Sequence, residues 1–207
     1  LAEPLDGIPV ILRTLAAVEA VPEIREIVVV TRPDLLVEVG RLCKEYGLDK
    51  VKKVVAGGSE RTNSVLAGLR EVSPQAELIA IHDGARPLLP PQVLEKTVAQ
   101  AARTGAAPAL PVTDTIKRIK DGVSTGTVDR EDLRAVQTPQ IFEAGLIRAA
   151  LEKAIADGEN LTDDCAAVER LGMPVTLTQG SRENIKITTP FDLLLGQAIL
   201  ENRVKGS

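Results

Sequence analysis

Short apolar runs alternate with stretches of helical periodicity through the first half of the chain. The apolar runs span 26–30, 51–55, 78–81 and 107–110, and the helical patterns span 9–21, 33–46, 64–72 and 91–104. Prolines open several of the helical patterns, and Gly47 and Gly105 stand where two of them end, as expected at helix boundaries. Such alternation is typical of βαβ units, whose strands lie parallel in one sheet. The pattern therefore predicts an α/β fold with a parallel sheet.

The rhythm breaks in a polar segment near the middle of the chain. Residues 115–130 alternate polar and apolar side chains around Asp121-Gly122, a dipeptide typical of tight hairpin turns. Too few of these residues are apolar for a core position, so we expect a protruding hairpin, and we call residues 114–130 the arm. Because a two-stranded ribbon is only marginally stable alone, we expect the arm to pack on a second subunit.

Shorter elements follow the arm. We predict strands at 135–138, 175–178 and 185–187, and helices at 143–156, 162–172 and from 190 onward. Thr162 is the expected N-cap of the second helix, with Asp163 and Asp164 in its first turn. The last helix carries one apolar stripe, formed by Phe191, Leu194, Leu195, Ala198 and Ile199.

Composition narrows the class of protein. The chain of 207 residues is long enough for one well-packed core, so we expect a single domain over residues 1–207. A net charge of −4 and three aromatic residues argue against nucleic-acid binding through a basic surface or base stacking. No apolar run approaches membrane-spanning length and no signal peptide is apparent, so we expect a cytoplasmic protein without membrane contact. Cys43 and Cys165 lie inside helical patterns and are expected in the core, without a disulfide or a zinc site.

Polar residues end the apolar run at 78–81. His82-Asp83-Gly84 follow it directly, which marks the carboxyl end of a buried strand. Ligands of open α/β sheets bind outside these strand ends, so Asp83 could hold a divalent cation over bound phosphates. Arg86 could bind a phosphate or pair with Asp83. For an isolated Asp-Gly, an ordinary turn is the alternative.

Two other segments contain candidate binding residues. Residues 57–64 form a glycine-containing loop before a helix, where free backbone amides could bind a polar ligand edge or an anion. The loop fits neither the dinucleotide fingerprint nor the Walker pattern, and it could equally be a turn with Thr62 or Asn63 as helix cap. Lys186 lies on a predicted short apolar strand, where a phosphate partner would explain its presence.

Several motifs in a fixed order give the chain a resemblance to a known family. They are Gly57-Gly58 with Arg61, 64–69, 82–87, 114–117, 128–130, 137–140, 162–164 and 184–190. Each motif is weak alone, but the ordered set covers nearly the whole chain and resembles the 2-C-methyl-D-erythritol 4-phosphate cytidylyltransferases. The resemblance implies a homodimeric, Mg²⁺-dependent enzyme that joins CTP to methylerythritol phosphate and releases pyrophosphate. It also implies a Rossmann-like three-layer sandwich with a mostly parallel sheet and a dimerisation arm.

The resemblance also assigns roles to individual residues. Gly58 and Ser64 match residues that hold the cytosine, Asp83 matches the Mg²⁺-associated carboxylate, and Gly84 and Arg86 share its substrate loop. Thr115 and Arg130 match arm residues that reach the partner's site, while Thr138, Thr162 and Lys186 match residues lining the sugar-phosphate pocket. Arg130 and Lys186 are the expected catalytic residues. The reaction needs no covalent nucleophile, because a substrate phosphate attacks the α-phosphorus of CTP in line and the protein aligns and neutralises two anions.

The chain departs from the family pattern at its beginning. Family members start with a buried strand and a loop of the type Pro-Ala-Ala-Gly-x-Gly-x-Arg, then Pro-Lys, which wraps the triphosphate. Residues 5–11 align just downstream of that loop, so roughly two dozen residues of the pattern are not in the sequence. Either they belong to the protein and precede Leu1, or the chain is impaired. Gly84 stands where many relatives carry alanine, and Glu183, where aspartate is common, is left without a role.

Two other functions remain open at this point. A cytidylyltransferase for another polyol phosphate, such as ribitol 5-phosphate, would share the fold and the loop at 82–87. Residues 128–130 followed by 137–140 favour methylerythritol phosphate. A non-catalytic nucleotide-binding dimer would not need Asp83, Arg130 and Lys186 together.

Overall fold

The computed structural model describes residues 3–102, 104–159 and 161–205. The first part of the chain contains β1 (Pro4–Leu5), β2 (Ile8–Pro9), α1 (Val10–Glu19), β3 (Ile27–Thr31), a 3-10 turn (Pro33–Leu35), α2 (Leu36–Glu45), β4 (Val51–Ala56), α3 (Arg61–Glu71), β5 (Leu78–Ile81), α4 (Pro91–Ala101) and β6 (Gly105–Pro111). The second part contains β7 (Ile116–Lys120), β8 (Val123–Val128), β9 (Arg134–Val136), β10 (Gln140–Glu143), α5 (Ala144–Ala156), α6 (Asp164–Arg170), β11 (Thr176–Gln179) and α7 (Pro190–Lys205).

A five-stranded mixed sheet lies at the centre, in the order β11, β6, β10, β5, with β9 also paired to β6. β11 runs parallel to β6, whereas β10 runs antiparallel to both β5 and β6, and β9 runs antiparallel to β6. β3 and β4 form a separate parallel pair. The predicted α/β fold is confirmed, but the central sheet is mixed and not mostly parallel. The difference arises from β10, which sequence periodicity did not predict and which enters between two strands of common direction.

Helices cover both faces of the central sheet. Ile79, Ala107 and Phe142 point to the layer formed by α3, α5 and α6. Ala80 and Ile141, their neighbours along β5 and β10, pack on the opposite side with α4. This alternation follows from the two-residue period of a strand, which sends successive side chains to opposite faces. β5 is thereby anchored on both sides, and its carboxyl end is held in a fixed position.

Cysteines and helix ends show which local predictions hold. Cys43 and Cys165 are buried and free, as predicted. α4 ends at Ala101, and Gly105 is the first residue of β6 and not a helix cap. The N-cap of α6 is Asp163, whose carboxylate accepts from the amide of Ala166, so the prediction of Thr162 as cap is wrong by one residue. None of the helices in the described ranges is long and apolar enough to cross a membrane.

The predicted hairpin is present in the arm. β7 and β8 pair antiparallel, and Asp121 (φ 50°) and Gly122 (φ 79°) form the turn between them. Two positive φ values in succession are what a tight hairpin turn requires, and glycine adopts them without steric cost. Ile119 and Val123 near the turn are 72% and 67% exposed. These two apolar side chains are therefore not part of the core of their own chain.

The last helix packs differently from the prediction. Phe191, Leu194, Leu195 and Ala198 of the expected stripe are exposed, and only Ile199 packs. Other side chains of α7, Leu193 and Leu200, contact a small cluster around Leu5 and Leu88. The segment 185–187 just before α7 is not a strand, so that prediction is also wrong.

Candidate active site

Asp83 follows β5, and its carboxylate lies beside two cations. Oδ2 is 3.1 Å from Lys186 Nζ and 3.2 Å from Arg86 Nε. Burial alone would raise the pKa of the Asp83 carboxyl, but the charges and hydrogen bonds of Lys186 and Arg86 outweigh burial and lower it. The carboxylate is therefore ionised at neutral pH. The predicted pairing of Arg86 with Asp83 is confirmed, and its binding of a phosphate stays a prediction.

Hydrogen bonds of Thr138 and of the neighbouring His82 hold this loop in place. Thr138 Oγ1 accepts from the amide of Asp83 at 3.0 Å and lies 2.9 Å from His82 Nδ1. His82 Nε2 faces the carbonyl of Arg86 at 3.4 Å. Because a carbonyl only accepts, Nε2 carries a proton, and in the neutral ring Nδ1 then accepts from the Thr138 hydroxyl. Burial lowers the pKa of His82 from 6.5 to about 4, which agrees with the neutral form.

Two buried amide side chains hold the segment that carries Lys186. Asn184 Nδ2 donates to the carbonyl of Thr138 at 2.8 Å, and Gln137 Nε2 donates to the carbonyl of Ser181 at 2.9 Å. The guanidinium of Arg86 donates to the carbonyl of Asn184 at 2.7 Å. Lys186 thus reaches Asp83 from a fixed backbone. The sequence motifs contain Gln137 and Asn184, but nothing in the local pattern showed that they are buried together.

The support of this segment extends to α7. Glu183, which had no role in the sequence analysis, forms an ion pair with Arg203, with Oε2 2.7 Å from Nη2. Arg203 also donates to the carbonyl of Leu88 at 2.8 Å. Glu183 therefore ties the start of the lysine segment to the last helix and to the loop after β5.

The glycine-containing loop closes on itself at the start of α3. The amide of Gly58 donates to Ser64 Oγ at 3.1 Å, and that hydroxyl donates to the carbonyl of Glu60 at 3.0 Å. A Cβ atom at position 58 would lie 2.5 Å from Cβ of Asn63, so only glycine fits. The helix begins at Arg61 with Glu60 as N-cap. The alternative that Thr62 or Asn63 caps the helix is therefore wrong.

Four predicted site residues remain: Gly84, Thr115, Arg130 and Thr162. Gly84 is in the same loop as Asp83, where its carbonyl accepts from Thr14 Oγ1 at 2.8 Å and so contacts α1. Thr115 and Arg130 are exposed at the base of the arm, and Arg130 donates to the carbonyl of Thr113. Thr162 is exposed beside α6. Within the described part of the chain, no hydrogen bond or ion pair joins Thr115, Arg130 or Thr162 to Asp83.

Comparisons with known proteins agree on one family. The family model of 2-C-methyl-D-erythritol 4-phosphate cytidylyltransferase matches residues 2–202. Relatives of that name from Geotalea uraniireducens and Alkaliphilus metalliredigens are 46% and 45% identical. The alignments cover 96% and 98% of this chain and 87% and 85% of the relatives.

Solved structures give the same result. The 4-diphosphocytidyl-2C-methyl-D-erythritol synthase of Anaerococcus prevotii superposes with a TM-score of 0.87 at 32% identity, over 96% of this chain and 88% of its own. The 2-C-methyl-D-erythritol 4-phosphate cytidylyltransferase of Thermus thermophilus superposes with a TM-score of 0.82 at 33% identity, over 96% and 92%. Sequence motifs, fold and relatives therefore converge, and the chain belongs to the 2-C-methyl-D-erythritol 4-phosphate cytidylyltransferase family.

Proposed function

We propose that this protein transfers CMP from CTP to 2-C-methyl-D-erythritol 4-phosphate, giving 4-diphosphocytidyl-2-C-methyl-D-erythritol and pyrophosphate. The cluster of Asp83, Arg86 and Lys186, in a chain matched by the family over residues 2–202, carries this proposal. A phosphate oxygen of the acceptor attacks the α-phosphorus of CTP while the bond to the β-phosphate oxygen breaks. Since both substrates are anions, fixed cations are what this reaction requires of the protein.

In this proposal, one set of residues binds the cytosine of CTP and another set binds the sugar phosphate. Gly58 and Ser64 hold the cytosine at the start of α3, where backbone amides point outward and can distinguish the polar edge of a base. Lys186, Arg130, Thr115, Thr138 and Thr162 hold the sugar phosphate, and Gly84 and Arg86 shape the loop between the two substrates. We propose a Rossmann-like nucleotide-binding architecture as the finer description of the fold. The soluble substrates lead us to propose a cytoplasmic location.

Mg²⁺ is the cofactor of the proposed reaction, with Asp83 as the protein ligand. No cluster of three or more acidic, histidine or cysteine side chains suited to a metal occurs in the described ranges. A single carboxylate still fits, because Mg²⁺ is commonly held by one or two carboxylates together with substrate phosphates. Lys186 and Arg86 both contact Oδ2, which leaves Oδ1 to the metal. Bound Mg²⁺ would neutralise charge on the triphosphate.

We also propose that the active form is a homodimer. The arm is exposed along its length and carries Thr115 and Arg130 at its base, and in the described ranges no hydrogen bond or ion pair joins either residue to the Asp83 of the same chain. A two-fold dimer in which each arm crosses to the partner would cover the exposed ribbon and bring Arg130 to the other substrate site.

A substrate matrix tests the proposed function. The full-length protein is incubated with CTP, UTP or ATP and with either methylerythritol phosphate or ribitol 5-phosphate, and pyrophosphate release is measured with Mg²⁺. We expect release only with CTP and methylerythritol phosphate. Preference for ribitol 5-phosphate, or binding of CTP without turnover of any acceptor, would overturn the proposal.

A further inference from the structure

A partly buried ion pair joins the glycine-containing loop to α6. Nη1 and Nη2 of Arg61 donate to the two carboxylate oxygens of Asp164 at 2.9 and 2.6 Å. The Asp164 side chain is fully buried and that of Arg61 is 36% exposed. Two parallel charge-assisted bonds fix both distance and orientation, which a single contact would not do.

Each partner is connected to a different side of the candidate site. Arg61 is the first residue of α3 and lies between Gly58 and Ser64, whose mutual hydrogen bond closes the loop. Asp164 begins α6, and its amide donates to Gln140 Oε1 at 2.9 Å. Gln140 lies two residues after Thr138, which supports the loop of Asp83. The ion pair therefore links the segment proposed for cytosine with the segment proposed for the sugar phosphate.

The position of Arg61 is unfavourable for the helix that it begins. A helix N-terminus carries partial positive charge and favours acidic side chains. The first turn of α3 has no acidic residue, and Glu60 makes no side-chain capping bond. An arginine here weakens α3 locally, and Asp164 compensates only if the two helices keep their relative position. Local rules broken in this way are expected at functional positions.

We infer that the Arg61–Asp164 pair is a positioning device for nucleotide selection: it fixes residues 58–64 against α6, so that the Gly58–Ser64 edge is held ready for cytosine. The inference rests on the proposed function, because it assumes that CTP binds at this loop. Neither residue needs to touch the substrate.

Two variants of the full-length protein separate positioning from simple stabilisation. Arg61→Lys keeps the charge but loses the two-pronged contact. We expect it to raise the KM for CTP about tenfold, to lower the preference for CTP over UTP, and to change the KM for methylerythritol phosphate less than about twofold, because misplacing one binding element selectively weakens its ligand. Arg70→Lys, at the exposed end of the same helix, is the matched control and should match the parent.

The double variant Arg61→Met with Asp164→Leu removes both charges and leaves no buried ion without a partner. Replacing a buried pair by apolar side chains is often neutral for stability, so its Tm should approach that of the parent. We expect the KM for CTP to remain raised.

The result that overturns the inference is equally specific. If Arg61→Lys changes only the Tm, or if the double variant recovers both the Tm and the KM for CTP, the pair is merely structural. If the parent itself does not turn over CTP with methylerythritol phosphate, the proposed function fails and this inference fails with it. The parent assay thus distinguishes the two failures.

Discussion

Asp83 uses one carboxylate oxygen for two protein cations. This arrangement keeps the carboxylate ionised and oriented before any ligand arrives. The same oxygen also limits how far Lys186 and Arg86 can move apart, so a change at residue 83 affects the position of both cations.

Asp83→Asn should lower turnover of the full-length protein about 100-fold, the magnitude for losing one essential electrostatic contact. The amide keeps the shape of the side chain but cannot offer a charged ligand to Mg²⁺. Turnover is measured across a Mg²⁺ titration, with Asp49→Asn as an exposed control. Parent-like turnover at limiting Mg²⁺ would remove Asp83 from the metal site.

Lys186→Ala should weaken the binding of one substrate far more than the binding of the other. Loss of a charge-assisted contact costs about 1.5 to 3 kcal/mol, so the affinity for methylerythritol phosphate should fall roughly tenfold or more. The affinity for CTP should change much less, and the loop should hold because Arg86 still pairs with Asp83. Calorimetry with each ligand measures the two affinities. Lys44→Ala, at an exposed position, is the control. Equal losses for both ligands would contradict the assigned contact.

His82, the one histidine of the chain, should make the fold acid-sensitive in a defined window. Its folded pKa of about 4 lies below the usual 6.5. Well above pH 6.5 the ring is neutral in both the folded and the unfolded state, and the free energy of unfolding has its full value. As the pH falls toward 4, the unfolded chain binds a proton that the folded chain refuses, so the folded state loses up to about 2 to 3 kcal/mol.

Urea unfolding at pH 7 and pH 4.5 measures this loss. His82→Gln cannot titrate and should lose correspondingly less stability between the two pH values than the parent. The Asp83 carboxyl, whose pKa is lowered below its ordinary value, does not contribute to this window. Equal losses in parent and variant would show that His82 is not the group responsible.

Local sequence patterns predicted elements better than their arrangement. β5 was predicted residue for residue because its four apolar residues end abruptly at His82. β10 was missed because it is four residues long and has polar residues at both ends, and its antiparallel insertion depends on β5 and β6. The predicted apolar stripe of α7 is not the buried side of the helix, for a related reason. Which side of a helix is buried depends on the elements of the rest of the chain that pack against it.

Packing at the junction of β6 and β10 gives a prediction for these elements. A Cβ atom at position 105 would lie 2.5 Å from the ring of Phe142, which is fully buried and cannot move aside. Gly105→Ala should therefore destabilise the fold by about 1 to 3 kcal/mol.

The matched control is Gly40→Ala within α2, where nothing lies within 4 Å of the added atom. It should stabilise the fold by about 0.5 to 1 kcal/mol. Chemical denaturation measures the free energy of unfolding of both variants. A value for Gly105→Ala equal to that of the parent would mean that β6 and β10 can shift apart.

At the scale of the whole molecule, the exposed arm that carries Arg130 leads to a test of the proposed dimer. If the arm crosses to the partner, each site combines Asp83 of one chain with Arg130 of the other. In the full-length protein, homodimers of Asp83→Ala and of Arg130→Ala should both be nearly inactive. In a hybrid dimer both changes fall in one site, and the other site is intact.

Random mixing yields roughly half hybrids, so about a quarter of the parental activity should return for independent two-fold sites. If Arg130 served its own chain, every site of the hybrid would carry one change. Purified hybrids that remain inactive would therefore limit the arm to dimerisation.

The sequence predicted only some of the residues of the candidate site, for a physical reason. Asp83, Arg86 and Lys186 were identified because each stands at an unusual local position, and the structure brings them together. Gln137, Asn184 and the Arg61–Asp164 pair were not given roles, because their importance arises from burial between segments far apart in the sequence.

The contact between Asp83 and Lys186 also sets an order of events during protein synthesis. About a hundred residues separate the two, and a ribosome adding roughly 5 to 20 residues per second needs about 5 to 20 s to make them. Throughout that interval the nascent chain contains the Asp83 loop without the lysine segment and without Arg203, which ties that segment to α7. A chain released early would therefore hold the Asp83 carboxylate with Arg86 alone, without the second of its two cations.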